Sequence, residues 1–495
     1  MRCEILVVGG GLGGVAAALA ARRAGRDVLL TEATDWVGGQ LTAQAVPPDE
    51  HPWIERFGCT ASYRALRDGI RAHYRAHYPL TAEARARGNL NPGAGRVSAL
   101  CCEPRAAVAV LRAMLGAVRC LLEHAPVAAA VDGDRVRAVT LAGTEGQVTV
   151  ETAWVIDATD TGELLALSGC EHVTGIESQT MTGEPHAPAR PRPESVQAPT
   201  WCFALDHRAG EDHTVPRPAG YERWRAHLTW QAPDPKTGAL VARRLEPNPD
   251  GDPALAGFDR DDDEGDRELW TFRRIAARRN FVPGAYESDI TLANWPQLDC
   301  LTGDRADARE LSLSFLHWLQ AEQGLSGLRL RGDITGTADG LAKALYVRES
   351  RRIVAEKTIV EHELGTAHPD SVGIGSYRID LHPRTGGEGY LDIDAPPFEI
   401  PLGSLVPVRM ENLLPGAKNL GTTHITNGCH RLHPVEWNVG EVAGALAAFC
   451  AEHGARPRDV RAREPLRAAF RERLARGGVE LAWPASVHAA RVMCG

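Results

Sequence analysis

The opening 32 residues constrain the fold more than any other stretch, because they read as strand, glycine turn, helix, strand and acid. Ile5 to Val8 form a short apolar run, Gly9, Gly11 and Gly14 fill the G-x-G-x-x-G spacing, and Gly25 stops an Ala-rich stretch before "DVLLTE". Gly9 permits the tight turn, Gly11 lets backbone approach a diphosphate, and Gly14 lets the helix lie close on the strand. The diphosphate would then face a helix N-terminus, where free N–H groups and the dipole favour anions. Glu32 ends the second strand at about the 20-residue offset expected of a carboxylate on ribose hydroxyls.

Arg2 before an apolar stretch resembles the start of a signal peptide, but Glu4 and the five glycines between Gly9 and Gly14 argue against one. No run approaches the roughly 18 apolar residues of a membrane helix, so a soluble, cytoplasmic chain is expected. The 495 residues predict two or three domains, and 55 Lys plus Arg against 64 Asp plus Glu argues against nucleic acid as a partner. Eleven scattered cysteines without a C-x-x-C fit reduced thiols, and no zinc or iron–sulfur spacing is present, so no metal is expected.

Along the chain, "TDWVGGQLTAQA" adds Gly38 and Gly39 as a second place where backbone approaches a phosphate or ring. Residues 53–96 read as mostly helical, with Tyr63, Leu66 and Ile70 at helix spacing. A better helix follows Glu103 with Pro104 in its first turn, then a hairpin turning at "DGD", then an apolar strand into "ATDTG". Residues 184–200, with five prolines, predict a surface connection, and residues 246–267 a loop. The acidic run Asp259 to Asp266 fails the EF-hand register, with Glu264 at the glycine position and Trp270 at the closing glutamate. Helices are expected around "ARELSLSFLHWLQAEQ", around "GLAKALYVRESRRIVAEKTI", and from near Pro434.

Taken together, "VVGGGLGGVAAALAA", "TDWVGGQLTAQAV", "VIDATDTGELLALSG", "YVRESRRI", "SYRIDLHP" and "NLLPGAKNLGTTHITNGCHRLHPVEWNVGEVAG" resemble the bacterial FAD-dependent oxidoreductases. These belong to the glutathione-reductase-type superfamily, related in their cofactor domain to heterodisulfide reductase and the fumarate reductase flavoproteins. The resemblance implies an α/β fold, a Rossmann-like FAD-binding domain with an inserted α+β substrate domain. It divides the chain into a discontinuous FAD domain (1–45, 97–180 and 401–455), a helical insertion (46–96), a substrate or cap domain (181–400) and a C-terminal helical segment (456–495). It implies that Gly9, Gly11, Gly14 and Glu32 hold the ADP half, and that Gly38, Gly39 and Gln40 lie along the diphosphate and flavin. Val127, in the strand after the Glu103 helix, offers its backbone to adenine. Ala158, Thr159, Gly162, Gly416 and Asn438 complete the cofactor set. Two departures stand out: the usual A-T-G turn reads "ATDTG", and Ala417 and Lys418 occupy the place where many relatives put an acid.

No second G-x-G-x-x-G follows, and no C-x-x-C, so the expected chemistry is hydride transfer from a small polar substrate (a sugar, hydroxy acid or amine) directly to flavin. Electrons would leave to oxygen or a separate acceptor. The alternative is a flavoprotein reductase, hydroxylase or electron-transfer subunit supplied by a partner protein. Candidate catalytic residues are His433, Arg431, His424, Arg348 and His382. His433 before Pro434 is expected at a helix cap, where a positive dipole end keeps the ring neutral and able to act as a base. Arg348 and Arg352 are expected on one helix face. Cys59 is expected to be a buried free thiol.

Overall fold

The computed structural model describes residues 1–234, 239–249, 268–387 and 389–487. The acidic run Asp259 to Asp266 and the end of the expected C-terminal segment lie outside the described residues.

The opening motif folds as its pattern dictates. β1 (Arg2–Val8), α1 (Leu12–Arg23) and β2 (Val28–Glu32) form a unit in which β1 and β2 pair in parallel, Ile5 opposite Val28 and Val8 opposite Thr31. After β2 the chain makes a long excursion through α2 (Ala61–His77) before α3 (Pro104–Leu115) returns it to β3 (Arg119–Leu122), parallel to β2. Glu103 stands at the N-cap of α3 with Pro104 behind it, as expected. Tyr63, Leu66 and Ile70 are all buried on one face of α2. The helical expectation for 53–96 holds only over Ala61–His77 and Ala82–Ala86. The tail of that stretch is turn because it must lie flat on another strand: a Cβ on Gly93 would come within 2.1 Å of the Arg274 carbonyl.

β4 (His124–Asp132) and β5 (Arg135–Gly143) form the expected hairpin, and β6 (Gly146–Asp157) joins both halves of the sheet. Its first half pairs antiparallel with β5, and its last residues run parallel to β1 on one side and to the strand Leu413–Pro415 on the other. The order is β3-β2-β1-β6-β5-β4. Val127 therefore lies on β4 and not on the strand that directly follows α3. The β4–β5 register shifts between Pro126 and Ala128, around Val127. Such irregularities leave backbone outside the ladder.

The middle of the chain builds a separate antiparallel sheet from β7 (Phe203–His207), β8 (Arg274–Ala276), β9 (Ile290–Ala293) and β10 (Leu328–Leu330), in the order β8-β9-β7-β10. The expected helix around "ARELSLSFLHWLQAEQ" is α4 (Arg305–Ala321), capped by the Asp304 carboxylate. "YVRESRRI" is not a helix. Residues 345–351 form neither helix nor strand, Tyr346 bridges Thr200, and Arg352–Ile353 pair with Val173 and His172. Arg348 and Arg352 consequently serve different networks, and the ion pairs described below override the helix propensity of Arg and Glu. A short hairpin, β11 (Ile379–Leu381) and β12 (Leu391–Ile393), sets Asp380 opposite Asp392.

α5 (His424–His430) and α6 (His433–His453) close the fold. α6 lies against α1 at backbone distance: a Cβ on Gly440 would meet the Gly13 carbonyl at 1.9 Å, and one on Gly444 the Ala17 carbonyl at 2.1 Å. The small residues of both helices are thus a packing requirement. α7 (Pro457–Ala462) and α8 (Glu464–Arg476) follow. No helix among the described residues is long and apolar enough to cross a membrane.

Candidate active site

The carboxyl ends of β1, β6 and the strand Leu413–Pro415 converge on one crevice, the place where open α/β sheets hold ligands. Gly9, at φ +99°, turns the chain here, and a side chain on it would strike the Ala158 carbonyl at 2.3 Å. A Cβ on Gly14 would meet the Gly9 carbonyl at 1.9 Å, so the third glycine brings α1 onto β1. Gly416 is anchored by its N–H to the Asp157 carbonyl at 2.7 Å, and its own carbonyl faces Gly13. Gly38 donates to the Gly10 carbonyl at 2.7 Å, which lays Gly38 and Gly39 across Gly10 and Gly11. Glu32 accepts from Gly10 N–H at 2.8 Å, and burial raises its carboxyl to about 7 despite the Thr34 N–H that opposes the shift. The structure therefore brings Gly9, Gly11, Gly14, Glu32, Gly38, Gly39, Ala158 and Gly416 together.

Gln40 reaches the same crevice from the side and donates to the Arg431 carbonyl at 2.9 Å and to the Glu436 carboxylate. Glu436 in turn accepts from Gly13 N–H at 3.2 Å, so a buried acid stands at the N-terminus of α1. Thr159 holds Asp157, and Gly162 begins the helix Glu163–Leu167 against Ser350 and Arg351. Asn438 lies on α6 against Gly373, its amide nitrogen buried without a hydrogen bond. The two departures from the family pattern answer one another: Lys418 Nζ meets Asp160, the extra acid of "ATDTG", at 2.8 Å. Burial works against the Lys418 charge, but Asp160 and Glu436 hold its pKa above the usual lysine value. A sequence signal for this pair existed in an acid and a base each standing where the other pattern lacked one.

The catalytic candidates separate into those with spent and unspent ring nitrogens. His433 is fully buried, accepts from Asp49 N–H at Nδ1 (3.2 Å) and donates to the Val46 carbonyl at Nε2 (3.1 Å). Burial lowers it to about 4, so the ring is neutral, but both nitrogens hold backbone and none is left for a substrate proton. It is also the first helical residue of α6, with Leu432 at the N-cap, which corrects its expected cap position. His424 is spent in the same way, between the Glu349 carboxylate at 3.0 Å and Arg384 at 3.4 Å. Glu349 also pairs with Arg352, which reaches Glu177 at 2.8 Å.

His382 differs. Its Nδ1 faces Asp299 Oδ2 at 2.7 Å, while Nε2 stands 3.7 Å from Asp380 Oδ2, beyond hydrogen-bond range. Asp299 also takes Arg348 at 3.1 Å, and Asp380 takes Arg431 at 2.8 Å. A continuous chain Arg348–Asp299–His382–Asp380–Arg431 results. Burial opposes ionisation of both carboxyls, yet Arg348 and His382 hold Asp299 below the carboxylate range, and His382 and Arg431 hold Asp380 at about 2. β11 presents this chain because it packs on α5 at Gly428, where a Cβ would come within 3.0 Å of Asp380 N. The second half of the proline-rich segment, expected at the surface, is buried in the same place. Gln197, Ala198 and Thr200 support it, with Arg348 donating to the Ala198 carbonyl at 2.6 Å. Asp299, Thr200 and Asp49 were invisible to motif reading because they stand in unremarkable sequence, whereas Tyr346 opens "YVRESRRI" and was passed over for its arginines. Cys59 is a buried thiol pushed up to about 12 by burial.

A family model described as FAD dependent oxidoreductase matches residues 4–474. Among solved structures, OxyS anhydrotetracycline hydroxylase from Streptomyces rimosus shares 15% identity over 97% of this chain and 68% of its own, with a TM-score of 0.36. The p-nitrophenol 4-monooxygenase PnpA from Pseudomonas putida DLL-E4 shares 16% over 42% of this chain and 48% of its own, at 0.26. A flavocytochrome c3 fumarate reductase shares 17% over 32% and 33%, at 0.22. No curated protein matches the chain. The match of the family model to almost the whole length, on a chain whose glycine turn, acid and closing strand meet in one crevice, establishes that it belongs to the FAD dependent oxidoreductase family and is an oxidoreductase that uses FAD.

Proposed function

We propose that the protein is a dehydrogenase or oxidase that takes a hydride from a small polar substrate directly to FAD. The observation that carries this reading is His382, oriented by Asp299 through Nδ1 and unbonded at Nε2, among buried arginines. A ring held by a carboxylate at one nitrogen and open at the other is the arrangement a general base needs. The crevice residues fit the cofactor. Gly11 and Gly39 bring backbone to the α1 N-terminus with no side chain of their own, beside the Glu436 carboxylate, and Glu32 and Gly10 would hold a ribose. Gly9, Gly14, Gly38, Gln40, Ala158, Thr159 and Gly416 complete this set, with Val127 offering irregular backbone for adenine.

Bound FAD supplies the two-electron acceptor. The chain's own part, with His382 in its neutral form, is to hold the substrate beside the ring, receive the hydroxyl or amine proton at Nε2, and keep bulk water out with the Arg348–Asp299–His382–Asp380–Arg431 chain. Oxygen or a separate acceptor would reoxidise the protein. Anaerobic mixing of the yellow holoprotein with sugars, hydroxy acids and amines tests the reading. Bleaching of the flavin band by one class supports it. Reduction only when a partner protein delivers electrons would favour the reductase, hydroxylase or electron-transfer alternative.

A further inference from the structure

Two buried arginines meet at Tyr346, and each keeps one N–H unspent. Arg431 donates through Nη1 to the Tyr346 hydroxyl at 3.2 Å and through Nη2 to Asp380. Arg348 lies over the Tyr346 ring, its Cζ 5.0 Å from the centroid, and spends its terminal nitrogens on Ala198, Thr200 and Asp299. Arg348 and Arg431 are only 2% and 3% exposed. Yet Nε of both is buried without a hydrogen-bond acceptor.

A buried N–H left unmade is costly, and more so when the group is charged. Two of them beside one phenol are therefore donors awaiting a ligand. Resting on the reading above, we propose that they form the recognition site for a carboxylate, and that the substrate is a small hydroxy acid. Protonated guanidinium donors favour an anionic oxygen acceptor over a neutral one, because the hydrogen bond is charge-assisted. Both arginines are already matched by Asp299 and Asp380, so while His382 is neutral the incoming carboxylate is the one charge that lacks a counterpart.

The reaction supplies it. As the alcohol is oxidised, its C–H leaves with the electron pair to FAD, its O–H proton goes to His382 Nε2, and the carbon–oxygen double bond of the 2-oxo acid forms. The imidazolium is then the counterion of the bound carboxylate. A neutral polyol would gain no such balance.

Spectral titration of the FAD-loaded protein tests the site without turnover. Oxalate and malonate serve as unreactive carboxylate probes, with glycerol as the neutral control. The site requires a saturable shift of the flavin band with at least one diacid, none with glycerol, and at least tenfold weaker binding in Arg431→Met. Arg348→Lys, which keeps the charge but loses Nε and leaves the Asp380 contact intact, should also weaken binding and covers the case in which Arg431→Met fails to fold. No shift with either diacid, or an unchanged Kd in both variants, overturns the site. Bleaching by glycerol or an amine with no response to diacids overturns it while leaving direct substrate oxidation standing. Diacid binding without bleaching by any hydroxy acid keeps the carboxylate site and sinks the oxidation reading instead.

Discussion

Lys418 and Asp160 form an ion pair of 2.8 Å in which one partner is buried and the other is not: the lysine side chain is 1% exposed and the aspartate 39%. The asymmetry makes the two halves unequal. Removing Asp160 takes one of two acids from a buried ammonium and leaves only Glu436 to offset it, whereas removing Lys418 returns Asp160 to water. Asp160→Asn should therefore destabilise the protein more than Lys418→Met does. Denaturant unfolding of both variants checks the order.

His382 and His433 are expected to respond in opposite ways. His382→Asn should keep FAD and slow the reductive half-reaction by about 10²-fold, the usual scale of a lost general base. His433→Asn should instead lower stability, since Asp49 N–H and the Val46 carbonyl lose their shared partner. Stopped-flow reduction and thermal melts of the two variants separate base from buttress. Equal slowing by both would move the base away from His382.

The pH dependence of His433 has a definite sign. Its folded value, about 4, lies below the ordinary histidine range, so the unfolded chain binds the extra proton between about 6.5 and 4. The stability that the neutral ring contributes is complete above that window and is lost as pH falls through it. The difference in melting temperature between wild type and His433→Gln should shrink from pH 7 to pH 4.5.

Asp392 behaves in the opposite sense. Burial, and then Asp380 across the β11–β12 hairpin, raise it to about 7, against the pull of Arg378. The folded state holds its proton between the ordinary aspartate value and 7, so this group costs stability as pH rises through that window. Asp392→Asn should gain on wild type between pH 5 and pH 8, as read by the difference in melting temperature.

Gly440→Ala should be among the most damaging single-methyl changes in the chain. Its Cβ would meet the Gly13 carbonyl at 1.9 Å, backbone against backbone, with no flexible side chain to yield. Overpacking of this kind costs about 1–3 kcal/mol or more, and the displaced α1 carries the first turn of the crevice. Lower melting temperature together with weaker FAD retention is the expected result, measured by flavin release on dilution.

The sequence by itself determined the crevice. A glycine turn needs particular residues at fixed short spacing, and "VVGGGLGG", Glu32 and Gly416 carry that requirement locally, so β1, α1, β2 and the α3 start were legible before folding. α4 and α6 were legible for the same reason, through periodicity and the positions of proline and glycine.

Only the tertiary structure decided the chemistry around His382. Asp299, Asp380, Thr200 and Tyr346 come from four separate segments, and no spacing rule links them. "YVRESRRI" shows why local reading fails there: its residues favour a helix, but Asp299, Glu349 and Glu177 offer the buried arginines more in an irregular chain than a helix could. His433 shows the same limit at one residue. Its neighbour Pro434 announced the helix, but whether its nitrogens were free depended on residues 46 and 49, nearly 390 positions away, which the fold brings against it.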